Sequence, residues 1–265
     1  MTCRLVRSPW QVTWSVWHAL FMREVLARTM GDRMGWFWLL GEPIAFIAFM
    51  VSIRTFLGRT REVIGAEFVP WLIIGLTGFF LIRNAITRGM SAIQANQALF
   101  AYRQIKPVDP LLVRHAMEGL LQTIVLLILI GVAVLSEVDG VLPDDVLGVT
   151  FFWLSLWLLG LGFALVVSVA VRLIPDLERL VKMSTFPLLI LSGVILPLQR
   201  FPPSILEYLL YNPIAHGLEL LRSRYFEGYH LLTGVSLEYL WRWILLSLAL
   251  GLALHARFER KLKAR

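Results

Sequence analysis

His216, Glu219, Arg222 and Tyr225 follow one another at three-residue steps. On a helix that spacing puts neighbouring members on a shared face, where Glu219 and Arg222 can pair. An imidazole beside a carboxylate could hold a metal or move protons. One histidine and one carboxylate are too few ligands for a metal, and no paired catalytic groups accompany them. No catalytic and no metal-binding residue is therefore assigned. Together with Asn212, which stands before Pro213, the set is expected to form a gate at the outer face of a membrane protein.

A second group of polar residues interrupts apolar runs. Glu42 stands directly before Pro43, and Arg83-Asn84 follows Phe79-Phe80. An arginine at the centre of a membrane span costs about 2.5–3.5 kcal/mol, so such groups face protein or water. Phe79, Phe80, Arg83 and Asn84 are candidates to line a path for polar cargo. The competing readings are core packing for the two phenylalanines and snorkelling to the inner interface for Arg83. Glu42 is assigned a structural role: pairing with an inner-side arginine, fixing a dimer contact, or capping a broken helix.

The third group is SAIQANQALFAYRQIK, Ser91–Lys106, between two long apolar runs and stopped by Pro107. It reads as a helix with an exposed apolar centre. Leu99, Phe100 and Tyr102 are apolar anchors flanked by Arg103 and Lys106, the pattern of a helix that docks in a partner's groove. The alternative is a basic loop drawn to anionic lipid.

The elements that position these residues are membrane spans. The chain has 265 residues, 58% hydrophobic and 16% charged, with a mean hydropathy of +0.72. Soluble domains carry about 45–50% apolar and about 25% charged residues. The expected fold is all-α and integral to the membrane, one transmembrane domain over 1–265. Residues 1–35 form an interfacial helix, 36–198 hold spans one to five, 199–238 form an external re-entrant region, and 239–265 hold span six and a basic tail. The spans are read at Trp36–Phe56, Phe68 to about Ala92, about Leu111 to Leu135, Val146–Val171, Met183–Leu198, and about Tyr239–Leu254. Trp10, Trp14, Trp17, Phe21 and Val25 share one helical face, which suits a helix lying in the headgroup layer. Two short amphipathic pieces, Ser204–Tyr211 and Ile214–Phe226, hinge at Asn212-Pro213 and are too short to span.

Lysine and arginine set the orientation. With both termini cytoplasmic, the inside segments hold Arg4, Arg7, Arg23, Arg28, Arg33, Arg88, Arg103, Lys106, Arg114, Arg172, Arg179, Lys182 and the basic tail. The outside segments hold only Arg54, Arg59, Arg61, Arg200, Arg222 and Arg224. Basic inner loops also account for the pI of about 10, so no nucleic-acid partner is assigned. Cys3 is the only cysteine, which excludes an intrachain disulfide. The first twenty residues, broken by Arg4, Arg7 and Pro9, do not read as a cleavable signal peptide.

Met34–Ile47, MGWFWLLGEPIAFI, resembles the start of the first span in the permease subunits of capsular-polysaccharide ABC exporters, the second exporter type. LSGVILPLQRFP (Leu191–Pro202) and NPIAHGLELLRSRYFEGY (Asn212–Tyr229) resemble the end of that family's fifth span and its re-entrant region. The resemblance covers essentially the whole chain, and O-antigen and teichoic-acid permeases share the plan. It implies a homodimer with two copies of a separate ATPase, and a lipid-linked polysaccharide as cargo in the bacterial inner membrane. It also implies a periplasmic adaptor leading to an outer-membrane channel, which the Asn212–Tyr225 set could contact.

The sequence contains no G-x-x-x-x-G-K-[ST] loop, so this chain has no P-loop for ATP. No cofactor is expected on it, and ATP and magnesium belong to the partner. Two other classes compete. A proton-coupled secondary transporter would use Glu42 or Asp176 as a relay. A membrane enzyme would need a polar cluster at one interface, for which Arg172, Asp176, Glu178 and Arg179 are the nearest group.

Overall fold

The computed structural model describes residues 8–31, 35–56 and 62–263. Cys3, Arg4, Arg7, Arg33, Arg59, Arg61 and Arg265 lie outside the described residues. Helix α1 spans Pro9–Gly31 and α2 Gly35–Phe56. A two-residue hairpin, β1 Glu62–Val63 with β2 Ala66–Glu67, leads into α3, Phe68–Ala95. Then come α4 Val108–Leu135, α5 Val146–Leu173, α6 Leu177–Leu191, α7 Pro203–Leu209, α8 Pro213–Tyr225 and α9 Leu237–Lys263.

Helix α3 is the centre. Every residue from Pro70 to Ile82 is buried. It packs against α4 and α5, α8 covers its first half, and α2 and α6 touch it more lightly. Helix α5 packs in turn on α9. Small residues let these backbones close: a Cβ at Gly162 of α5 would stand 2.0 Å from Ser247 Oγ of α9.

Four helices, α3, α4, α5 and α9, are long and apolar enough to cross a membrane. Their outward faces present Leu127 and Val132, Leu147 and Leu154, and Leu245 and Leu250. Helix α2 has a shorter apolar stretch, Gly41–Ile53. The fifth expected span starts earlier and ends sooner than the sequence suggests. Helix α6 stops at Leu191, where Ser192 and Gly193 turn back onto the carbonyls of Leu188 and Ile190. Gly193 takes a φ of 71°, the left-handed conformation that ends helices. At about 1.5 Å per residue, α6 is about 22 Å long, against about 30 Å of hydrocarbon.

The bundle has two distinct ends. At one end α1, the α3–α4 connection and the end of α9 meet: Phe100 packs with Ile93, Val169 and Leu262. At the other end lie the hairpin, the α4–α5 loop and the loop after α8. There Asp144 and Asp145 donate their backbone amides to the carbonyls of Tyr225 and Arg224.

Candidate functional site

Arg83 and Glu42 are partners. Arg83 Nη1 donates to Glu42 Oε1 at 2.6 Å, and Nη2 to Oε2 at 3.2 Å. The guanidinium also bonds Asn84 Oδ1 at 3.2 and 3.1 Å and lies 3.9 Å from the ring centre of Phe80. Asn84 Nδ2 in turn faces Gln122 Oε1 of α4 at 3.5 Å. Of the alternatives for Glu42, pairing with an arginine is the one the structure contains. Phe79 is 1% exposed and packs in the core of the chain, so it does not line an open path. Phe80 is buried beneath Arg83, and only the polar members of the set reach a surface.

The polar contacts continue along α3 toward the α1 end. Asn84, Arg88 and Ser91 follow at four- and three-residue steps and share a helical face. Arg88 Nε lies 3.0 Å from Glu118. Arg114 Nη1 donates to Arg88 O and Ser91 Oγ, both at 3.2 Å, while its other nitrogens hold Glu24 of α1 at 3.0 and 3.1 Å. Arg23 of α1 donates to Asn96 Oδ1 at 3.0 Å, and Trp17 Nε1 to Asp109 Oδ1 at 3.0 Å. Helix α1 therefore grips both sides of the α3–α4 connection.

That connection is not the separate helix read from Ser91–Lys106. Its first five residues belong to α3, and a single 3-10 turn, Gln97–Ala101, follows. Asn96 ends α3 by turning its amide onto Ala92 O at 2.9 Å, and Pro107 marks the start of α4. The stretch between is too short for a free-standing helix. The expected exposed centre is also corrected: Phe100 is buried against α9, Leu99 is half-buried, and Tyr102, Arg103 and Lys106 are exposed. A groove of about 340 Å³ runs between α1 and this connection, lined by Val12, Val16, Leu20, Leu99 and Ile105 among others.

The third group is buried rather than external. His216, Glu219, Arg222 and Tyr225 lie within α8, and none exceeds 2% exposure, so they cannot form the outer surface expected of them. Asn212 caps the helix by accepting from Ile214 N at 3.0 Å and donates to Ser192 Oγ at 2.8 Å. His216 Nε2 sits 2.7 Å from Leu210 O, and Nδ1 accepts from Ser236 N at 2.9 Å. A carbonyl accepts and an amide donates, so the ring is held as the neutral Nε2-H tautomer. Arg222 and Glu219 stand 3.6 Å apart. Arg222 Nη1 donates to Gly193 O at 2.7 Å, and its guanidinium lies 3.7 Å from the ring centre of Trp71. Glu219 accepts from Gln199 Nε2 at 3.2 Å and Tyr229 OH at 3.1 Å. Burial pushes the Tyr229 phenol up to about 12, so it stays a proton donor. Tyr225 OH donates to Val141 O. The sequence signalled the Glu219–Arg222 pair but not Trp71 or Gly75. A Cβ at Gly75 would stand 2.0 Å from Arg222 Nη2, so only glycine leaves room for that side chain.

No group of three or more potential metal ligands occurs among the described residues. The arrangement is a bundle of membrane-length helices with a polar seam on α3, a clamped connection at one end and a buried ionic knot near the other. Over 256 residues the chain is 32% identical to the polysialic acid transport protein KpsM of Escherichia coli, covering 96% of this chain and 98% of that protein. It is 29% identical over 244 residues to the capsule polysaccharide export inner-membrane protein CtrC of Neisseria meningitidis serogroup A, covering 91% and 90%. It is 26% identical over 244 residues to the corresponding protein BexB of Haemophilus influenzae, covering 92% and 91%. No family model matches the sequence. The chain belongs to the inner-membrane permease family of capsule-polysaccharide ABC exporters.

Proposed function

We propose that this chain is the transmembrane conduit of an ATP-driven exporter that moves lipid-linked capsular polysaccharide across the bacterial inner membrane. In this reading α2 to α6 and α9 supply six spans, α6 short and interrupted by Pro187, while α7 and α8 re-enter from the periplasmic side. Both termini and the α3–α4 connection are cytoplasmic. Two copies of the chain face each other, two ATPase subunits dock below, and a periplasmic adaptor sits above. ATP and magnesium are bound by the ATPase.

The observation that carries this reading is the polar seam from Glu42–Arg83 through Arg88 and Arg114 to the clamped connection. Helices α2 and α6 carry exposed Ile44, Phe49, Met183 and Phe186 and pack lightly on their own chain, which suits a face shared with a second copy. At that face Arg83 and Glu42 neutralise one another. They offer donors and acceptors to sugar hydroxyls without a net field that would trap the polymer, and conduction requires binding weak enough to release. The groove between α1 and the connection suits an apolar side chain of the ATPase, and Tyr102, Arg103 and Lys106 are exposed on the same connection. ATP-driven motion there would reach Arg83 through the Arg114–Glu24 and Arg88–Glu118 links.

A proton relay through Glu42 fits less well, because both its oxygens are taken by Arg83. Asp176 is exposed at the start of α6, away from that pair. The test is reconstitution in vesicles with and without a candidate P-loop ATPase as second polypeptide. Export that requires ATP and the second polypeptide is expected. Export driven by a pH gradient through this chain alone would overturn the reading.

A further inference from the structure

A cavity of about 520 Å³ lies between α1, α4 and α5. Its walls are Trp14, Trp17, Phe21, Leu112, His115 and Trp157, with Ala116 at its edge. His115 is seven residues into α4, about 10 Å along the axis, so the cavity reaches from the plane of α1 into the apolar layer. Three side chains set its shape. The indole of Trp157 stacks on His115 with ring centres 4.8 Å apart. Trp17 is fixed by Asp109, which holds α1 over the opening.

We propose that this cavity is a site for one acyl chain of a phospholipid of the inner leaflet, retained as a resident lipid. The inference stands apart from what is exported. An engineered cavity of about 150 Å³ takes a benzene ring; in that proportion this one takes a chain of roughly twenty carbons. The apolar lining and the depth leave lipid as the neighbour able to enter from the bilayer. His115 fixes one wall: it is 3% exposed, and its Nε2 is 3.1 Å from Trp157 O.

The exported molecule is not the occupant this geometry favours. Glu118 and Gln122 turn toward Arg88 and Asn84 of α3, whereas Leu112 and Ala116 line the cavity. His115 stands at the border between the two, and the centre of the cavity is turned away from the polar seam. A lipid held here would wedge α1 against α4 and keep the Trp17–Asp109 contact in register, so the clamp on the α3–α4 connection would depend on it.

The test uses the full chain in synthetic bilayers of phosphatidylethanolamine, part of which carries a diazirine midway along one acyl chain, with no polysaccharide present. After exchange into detergent to strip loosely held lipid, the sample is illuminated and the adducts are mapped. Adducts within 112–116 or 157–161 are expected at least tenfold above those on the lipid-facing 245–252 stretch of α9. Ala116→Trp, which fills the mouth, is expected to lower them to the α9 level, and Leu112→Trp serves the same purpose if that variant does not fold. Equal labelling at the two places in the unmodified chain overturns the proposal. So does labelling that survives in a folded, filled variant. Labelling absent from synthetic bilayers but present in membranes making polysaccharide would assign the cavity to the export substrate and equally overturn it.

Discussion

Arg83 of α3 and Glu42 of α2 meet through two parallel bonds, at 2.6 and 3.2 Å. A planar fork against a carboxylate fixes direction as well as distance. Helix α2 has exposed apolar residues along much of its length, so this pair sets where α2 sits against α3.

Breaking it should loosen α2. Glu42→Ala and Arg83→Ala are each expected to lower stability by about 0.2–1 kcal/mol, the range for exposed ion pairs, and to reduce surface polysaccharide. Exchanging the two charges, Glu42→Arg with Arg83→Glu, should restore much of both. Thermal unfolding of the solubilised chain and capsule per assembled transporter are the readouts. A double variant no better than the singles would remove the pair from its assigned role.

Phe100 and Tyr102 should now behave differently from one another. Phe100 is buried against Leu262 and Val169, so Phe100→Ala should destabilise the chain by about 3 kcal/mol. Tyr102→Asp with Arg103→Glu changes only exposed side chains. That variant should melt like the parent yet fail to co-purify with the ATPase. Normal co-purification would place docking elsewhere.

Arg222 tests the buried knot. Removing one member of a buried ion pair costs about 3–5 kcal/mol, so Arg222→Ala should give little folded protein. Gly75→Ala should do the same, since its Cβ would meet Arg222 Nη2 at 2.0 Å. Joining Gly75→Ala to Arg222→Met and Glu219→Gln, which removes both buried charges together, should recover stability relative to Gly75→Ala alone. Failure to recover would mean that Gly75 is needed for something other than space.

The orientation predicts labelling from opposite sides. In a Cys3→Ser background, a cysteine at Gln97 should react with an impermeant reagent only in opened cells. One at Leu142, in the loop at the hairpin end, should react in intact cells. The reverse pattern would invert the topology.

The long spans were legible because α4, α5 and α9 each hold an apolar window of 18 residues, about five turns, a signal no local contact can mask. Helix α1 was legible from the spacing of Trp10, Trp14 and Trp17. The connection was misjudged because helix-capable residues from Ser91 onward say nothing of Asn96 turning its amide onto Ala92. Phe100 looked like an external anchor because a sequence does not show the end of α9, more than a hundred and fifty residues later, coming to cover it. The spacing of His216, Glu219 and Arg222 gave their common face but not its direction. Trp71 and Gly75, which receive the guanidinium, stand far away in the chain.

Helix α8 also bears on how the protein is made. A thirteen-residue segment carrying Glu219 and Arg222 is neither long nor apolar enough to enter the bilayer alone. Its pocket is built by α3, α5 and α9, and α9 leaves the ribosome after it. The segment from Pro203 to Tyr225 must therefore wait at the membrane surface, its charges hydrated, until residues 237–263 have inserted. A nascent chain ending before Leu237 should leave Arg222 open to added trypsin, and the completed chain should protect it. A helix buried among α3, α5 and α9 then settles only after all three are in place.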